Sequence, residues 1–334
     1  MSETLVVDPA RPDPAIIARA ADVIRWGGLV AFPTETVYGL GANALDAAAV
    51  QRIFDAKGRP AYNPLIVHVP RAEAARELVT DWPAAAEQLA TAFWPGPLTL
   101  VLPKRDLVPD LVTAGLPAVA IRIPRHPVAL ALLAASQLPI AAPSANRFTR
   151  VSPTTAQHVE RGLGNRVDLI LDGGPTQVGI ESTVVDLTGD PPRVLRPGII
   201  AVPELERVLG RSLGLAPPTA PMGQARLSPG MVDRHYAPRA QVRLFGVADR
   251  AEAERVAHEA ARRGEVVGAI VLGDAPGAVE HAIRLPPDPI GYAAGLYAAL
   301  HRLDELRCHL ILVEQVPPAP AWDGIRDRLA RASR

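Results

Sequence analysis

Lys57 and Arg59 flank Gly58 where a helical pattern breaks, and Asn63 follows just before the apolar run 65–69. Two cations at a helix end can simply balance its dipole. Here they have company, because Thr34, Glu35, Thr36 and Tyr38 crowd the segment after the apolar run 29–32. In open α/β sheets, ligands bind beyond the carboxyl ends of the strands. Solvent-facing cations and polar side chains in such loops suit an anionic ligand. Arg122 lies inside the apolar run 118–123, and a buried cation without an anion is too costly to keep. Its partner is either an internal carboxylate or the carboxylate of a substrate. Ser152 precedes Pro153, the pattern of a helix N-cap, and a capped helix N-terminus is also a phosphate site.

Other chemistries fit less well. Gly39-Leu40-Gly41-Ala42-Asn43-Ala44 matches a dinucleotide fingerprint loosely. That fingerprint needs its first glycine directly after a strand and an acidic residue at the end of the next one. Here Gly39 stands several residues past the run, and the next run holds His68 instead. There is no Walker A sequence, and Ser144 is not in a G-x-S-x-G elbow. His68 has no second histidine at metal-ligand spacing, so a zinc held by protein alone is not expected.

These residues must be positioned by a chain of 334 residues, 48% hydrophobic and 21% charged, enough for two packed domains. Asp13-Pro14 starts a helix that Gly27-Gly28 stops, the run 29–32 reads as a central strand, and Asp46 caps the helix that ends at Gly58. Strands at 98–102, 118–123 and 167–171, helices at 83–94 and 127–136, and a hairpin turning at Gly189-Asp190 complete an α/β domain with a mixed sheet over 1–208. Residues 209–238 are rich in Pro, Gly, Ser and Ala and read as a linker. Strands at 241–245, 266–272 and 310–316 with helices at 252–263 and 290–306 give a smaller α/β domain over 239–334. Lys and Arg balance Asp and Glu at 35 each and aromatics are only 4%, which gives no reason to expect a nucleic-acid platform. The single cysteine, Cys308, leaves no intrachain disulfide and fits a reducing compartment. With no signal-peptide pattern and no apolar run near the ~18 residues of a span, a soluble cytoplasmic protein with no membrane partner is expected.

The candidate residues also recur as ordered motifs. Phe32-Pro33-Thr34-Glu35-Thr36-Val37-Tyr38-Gly39-Leu40, Lys57-Gly58-Arg59-Pro60, Asn63-Pro64-Leu65 and His68 come first. Pro95-Gly96-Pro97-Leu98-Thr99, Arg122-Ile123-Pro124, Pro143-Ser144-Ala145-Asn146 and Ser152-Pro153-Thr154 follow. Glu181-Ser182-Thr183, Arg196-Pro197-Gly198, Ser228-Pro229-Gly230-Met231 and His235-Tyr236-Ala237-Pro238 close the series. Over residues 5–238 the chain resembles the YrdC-like threonylcarbamoyl-AMP synthases, in their long two-domain form. The last domain matches by position and size more than by motif.

The resemblance implies a YrdC-like domain with a twisted mixed parallel/antiparallel sheet and flanking helices, followed by a smaller C-terminal α/β, Rossmann-like domain. It implies a nucleotidyltransferase that joins L-threonine, bicarbonate or CO2, and ATP into threonylcarbamoyl-AMP and pyrophosphate. A downstream transferase would then modify adenosine 37 of tRNA. Lys57, Arg59, Asn63, Ala118, Ser144, Ser152 and Arg196 would face ATP, Lys57 and Arg59 being catalytic, with Mg2+ arriving through the ATP phosphates. Thr36, His68, Arg122, Ala142 and Ser182 would form the threonine pocket. His235 and Tyr236 would close over ATP as part of a lid rather than a tether. Direct tRNA binding is neither implied nor excluded. An RNA-binding module without catalysis and a nucleotide hydrolase are the competing classes. Two departures stand out: Phe148-Thr149 where the family has a Ser-Gly pair, and Val232 where a lysine is expected.

Overall fold

The computed structural model describes residues 2–215, 227–228 and 235–334. Asp13 caps the helix Pro14–Arg25 by accepting from the Ala15 amide, and that helix buries Ile17, Ala20, Ala21 and Ile24. Asp46 caps Ala47–Lys57 in the same way, through the amides of Ala48 and Ala49. This second helix ends at Gly58, whose φ of 62° lies in the left-handed region that glycine enters at little cost. The turn there carries Arg59 back under the helix, its amide bonded to the Phe54 carbonyl.

The first sheet holds β1 (Glu3–Val6), β2 (Val30–Pro33), β3 (Tyr38–Asn43), β4 (Ile66–His68), β5 (Leu98–Pro103), β6 (Ala118–Arg122), β7 (Ile140–Ala141), β8 (Leu169–Asp172), β9 (Thr183–Asp186), β10 (Arg193–Arg196) and β11 (Gly214–Leu215). They run in the order β1-β8-β2-β3-β7-β4-β6-β5-β9-β10-β11. Parallel pairs such as β4/β6 and β5/β9 alternate with antiparallel ones such as β2/β3, β5/β6 and β9/β10. This is the expected mixed α/β sheet, and β9/β10 is the hairpin expected around Gly189-Asp190. Along β2, Leu29 and Ala31 enter one apolar layer while Val30 and Phe32 enter the other, as the two-residue period of a strand requires.

Strand β3 is not legible from its pattern, and it gives its glycines a packing role. Gly39 and Gly41 lie within the strand, between β2 and β7, not in a loop that opens a helix. A Cβ at Gly41 would come 2.7 Å from the Phe32 ring and 2.8 Å from Ile140. Close packing is what needs glycine here, and the dinucleotide reading falls.

The second sheet is parallel throughout. It holds β12 (Gln241–Phe245), β13 (Val267–Val271), β14 (His281–Arg284) and β15 (Leu310–Glu314) in the order β12-β15-β13-β14. The helix Arg250–Arg262 packs Ala253, Ala257 and Ala260 on one face. The helices Pro289–Glu305 and Asp323–Ala332 pack on the other. That second core continues into the first sheet's loops, taking in Val37, Val151, Val178, Ile180 and the linker residue Tyr236. Strand β14 and the helix Asp323–Ala332 add to what the sequence pattern suggested. The latter has few apolar residues and buries Arg328 and Arg331 beside Ile325 and Leu329. Among the described residues, no helix is long and apolar enough to cross a membrane.

Gly41→Ala is expected to lower the unfolding free energy by about 1–3 kcal/mol, the usual penalty for overpacking. Urea unfolding measures it, and an unchanged midpoint would mean that Phe32 and Ile140 yield without cost.

Candidate active site

Strand ends converge on one cleft. The loop after β2 brings Thr34 and Thr36, β4 and β6 end side by side in His68 and Arg122, and Ala142 to Ser144 follow β7. Glu181 and Ser182 precede β9, Arg196 ends β10, Arg59 enters from the turn after Gly58, and His235 with Tyr236 roof the space. The free space enclosed is a cavity of about 40 Å³, room for a few waters and not for a nucleotide.

In the deep half, Arg122 settles its choice of partner. Its Nη2 lies 2.8 Å from Glu35 Oε1, its Nη1 donates to Thr36 Oγ1 at 2.9 Å and its Nε to the Gly96 carbonyl at 3.2 Å. The internal carboxylate is Glu35. Burial alone would raise the Glu35 pKa, but the guanidinium of Arg122 and the Arg125 amide outweigh it and hold it below the ordinary range. Burial, with Arg122 adjacent, pushes His68 down to about 3, so its ring is neutral. Ser182 Oγ sits 2.7 Å from Thr99 Oγ1 and accepts from Arg196 Nη2 at 3.1 Å.

In the basic half, Lys57 and Arg59 are not solvent-facing. They are 3% and 7% exposed, because the helix end is tucked beneath the 144–148 loop. Lys57 Nζ donates to the carbonyls of Ser144 at 2.5 Å and Asn146 at 2.6 Å. Arg59 donates through Nε to the Asn63 carbonyl at 3.1 Å and through Nη2 to that of Pro64 at 2.7 Å. Burial, then the charge of Arg59, lowers the Lys57 pKa well below its usual value, and burial brings Arg59 down to about 9. Lys57, Asn63, Ala118 and Ser152 stand behind the cleft wall rather than on it. Ala118 packs in an apolar cluster with Ile66, Ala120 and the linker's Leu227.

Ser152 does not cap a helix. Its segment stays extended, with the Pro153 carbonyl taking the Tyr38 amide, and Thr155 caps Ala156–Leu163. Ser152 Oγ instead donates to Glu181 Oε1 at 2.5 Å. Glu181 Oε2 accepts from Tyr297 Oη at 3.0 Å and from Arg328 Nε at 2.8 Å. Burial would raise its pKa, but Arg328 and Arg196 with these hydrogen bonds bring it to about 2. Glu181 belonged to a recognised motif without a role. Tyr297 and Arg328 carried no signal, since they lie in the domain with no motif.

The roof explains one departure. Tyr236 adopts φ 59° and Thr149 φ 69°, both unusual for residues other than glycine. The Thr149 carbonyl accepts from the Ala237 amide at 3.0 Å, and the Phe148 ring meets His235 edge-on at 5.9 Å. Phe148-Thr149 therefore receives the linker. Tyr236 stacks on Tyr297 at 5.8 Å with Arg328 5.2 Å from its ring centre. Gly230, Met231 and Val232 lie outside the described residues, and so does the missing-lysine departure.

A family model described as telomere recombination matches residues 22–198, and the threonylcarbamoyl-AMP synthase C-terminal domain matches residues 200–334. The chain belongs to the Sua5/YrdC family, in its long two-domain form. Its Sua5 relatives include the threonylcarbamoyl-AMP synthase of Pyrococcus abyssi, 45% identical over 94% of this chain and 93% of the relative. That of Bacillus subtilis is 41% identical over 98% and 96%. The crystal structure of P. abyssi Sua5 complexed with L-threonine superimposes with a TM-score of 0.94 at 43% identity, covering 99% of this chain and 98% of that one.

Two outcomes follow for this Sua5-type cleft. Lys57→Ala leaves the buried Asn146 carbonyl without its donor, while the Ser144 carbonyl keeps the Asn146 amide, and is expected to cost about 1–3 kcal/mol in urea unfolding. Loss of activity alone, at full stability, would contradict the buried placement. His68 concerns pH. Its folded pKa lies below its ordinary 6.5, so the unfolded chain binds the extra proton, and stability falls as pH drops from 6.5 toward 3. Between pH 6 and 4, wild type should lose more stability than His68→Gln, by up to about 1.4 kcal/mol per pH unit. Equal slopes would show that His68 is charged in the fold.

Proposed function

We propose that the chain is a threonylcarbamoyl-AMP synthase, a nucleotidyltransferase that condenses L-threonine, bicarbonate or CO2, and ATP. The observation that carries this is the meeting of two unlike half-sites under one roof. Arg122, Thr36 and Ser182 stand in one half, and Arg59 and Arg196 in the other. The first half suits an amino acid: a guanidinium for its carboxylate, hydroxyls for its polar groups, and the apolar Ile66 and Ala142 for a methyl. The second suits a polyphosphate. His235 Nδ1, on the cleft lining, is buried and without a hydrogen-bond partner among the described residues, a group free to meet a ligand.

The threonine amine first takes up CO2 and releases a proton, giving a carbamate. A carbamate oxygen then attacks the α-phosphorus of ATP, the bond from that phosphorus to the bridging oxygen breaks, and pyrophosphate leaves. Positioning and electrostatic stabilisation supply the catalysis. Arg59 and Arg196 would meet the phosphates, with Lys57 setting the 144–146 loop from behind. Mg2+ enters as part of the substrate MgATP. Glu181, the carboxylate on the cleft lining, is already engaged by Arg328, and Glu35 behind it by Arg122, so the metal would ride on the phosphates. With His235 and Tyr236 seated, the free space is about 40 Å³, so on this reading the two linker residues would lift for ATP entry and reseat on the bound nucleotide. The product passes to a tRNA threonylcarbamoyl transferase.

Pyrophosphate release should require ATP, threonine and bicarbonate together. Serine should react more slowly, since a missing methyl is worth about 1–3 kcal/mol, and valine should be no better because the hydroxyl's partners stay unpaired. Phosphate or pyrophosphate release from ATP without threonine would point to a hydrolase, and RNA binding without turnover to a binding module.

A further inference from the structure

The nucleotide half of the cleft contains an acid where a polyphosphate site should have none. Glu181 lines the cleft beside Arg196 and Arg59, and it is 7% exposed. Its charge is answered by the other domain. Arg328, from the helix Asp323–Ala332, donates to Glu181 Oε2 at 2.8 Å and to the Glu181 carbonyl at 3.3 Å. Tyr297, from the helix Pro289–Glu305, donates to the same carboxylate oxygen at 3.0 Å. Arg328 is tied to the catalytic side a third time, through the Pro197 carbonyl at 2.8 Å.

The seating is fixed on both flanks of Glu181. A Cβ at Gly324 would fall 2.5 Å from the Gly198 carbonyl oxygen, and one at Gly179 would collide with the Ala293 carbonyl. Bare backbone is thus pressed on bare backbone at either side of the acid. The same two C-terminal side chains hold the roof: Tyr236 stacks on Tyr297, and its ring faces Arg328. No apolar contact would need a fully buried guanidinium at this place, since a buried ion pair is poor stabiliser by itself.

We propose that the C-terminal domain completes the ATP site by neutralising Glu181, with Arg328 and Tyr297 as positioning residues that turn an acidic corner into one that accepts phosphate and seat Tyr236 above it. This rests on the threonylcarbamoyl-AMP synthase reading for the identity of the ligand. Without Arg328, the Glu181 carboxylate is left to Arg196 and Arg59 for its compensation. It competes with the phosphates for those cations and repels the nucleotide. The threonine half is unaffected, because Arg122 has its own carboxylate in Glu35.

The experiment compares full-length wild type with Arg328→Met, Tyr297→Phe, Glu181→Gln/Arg328→Met and Glu181→Gln/Tyr297→Phe. It reads the ATP dissociation constant directly, then KM for ATP and for threonine. Arg328→Met should weaken ATP binding about tenfold or more, since an unpaired charge is left in the site. The threonine KM should stay within about twofold, as its half-site keeps its own ion pair. Adding Glu181→Gln should recover most of the lost ATP affinity, which repair of a merely structural defect would not do. An unchanged ATP constant in Arg328→Met, or a loss that Glu181→Gln does not reverse, overturns the proposal. Should Arg328→Met fail to fold, Tyr297→Phe carries the test, because it removes only a hydroxyl. Weaker ATP binding restored by Glu181→Gln supports the proposal, and unchanged binding overturns it. If wild type binds ATP with this dependence on Arg328 but releases no pyrophosphate, the assigned reaction fails while the neutralising role stands.

Discussion

Charge kept out of water is the constraint around which this chain is built. Glu35, Arg122, Lys57, Arg59, Glu181, Arg196 and Arg328 are all nearly inaccessible, and a lone ion in such a place is destabilising by several kcal/mol. Each is therefore answered within the fold. Arg122 at the end of β6 is answered by Glu35 in the loop after β2, Glu181 by Arg328 across the domain boundary, and Lys57 and Arg59 by backbone carbonyls. The answers dictate tertiary structure. The loop after β2 must fold back on β6, the 144–148 loop must cover the end of the 47–57 helix, and the C-terminal helices must dock beside Glu181.

The carbonyl partners of Lys57 and Arg59 have a particular property. A carbonyl dipole satisfies a cation without cancelling its net charge, so the basic half keeps positive potential while losing flexibility. The carboxylate partners of Arg122 and Arg328 instead offset charge, although Arg122 keeps its place on the cleft lining. One fold thus sets the sign of the field in each corner of the cleft by choosing dipoles in one place and ions in another. Such fixed charges need no reorganisation when a ligand's charge arrives or moves.

Much of the architecture was legible because it rests on local chemistry. Asp13-Pro14 and Asp46 cap the helices they announce, Gly58 ends one, and the alternation along β2 marks a strand covered on both faces. Strand β3 was hidden because its glycines serve packing against Phe32 and Ile140, a reason no local pattern shows. Ser152-Pro153 looked like a cap because the residue types are right, yet the Tyr38 amide holds that segment extended. Lys57 and Arg59 looked exposed because cations at a helix end usually are, and only tertiary cover by the 144–148 loop reverses it. Arg328 and Tyr297 were illegible for another reason. Their meaning lies in Glu181, roughly 120–150 positions away in sequence, and the surrounding helix is too charged to advertise a buried face.

Thr149 shows what a single departure does to motion. A β-branched residue at φ 69° is held there against its preference, at a cost on the order of 1–3 kcal/mol that a glycine would escape. The hydrogen bond from the Ala237 amide and the contact of Phe148 with His235 act at that strained turn. The loop is a wound spring with the linker as its catch. A glycine would hold the same turn without that cost, a difference of roughly five- to 150-fold in how readily the turn that meets the linker is adopted.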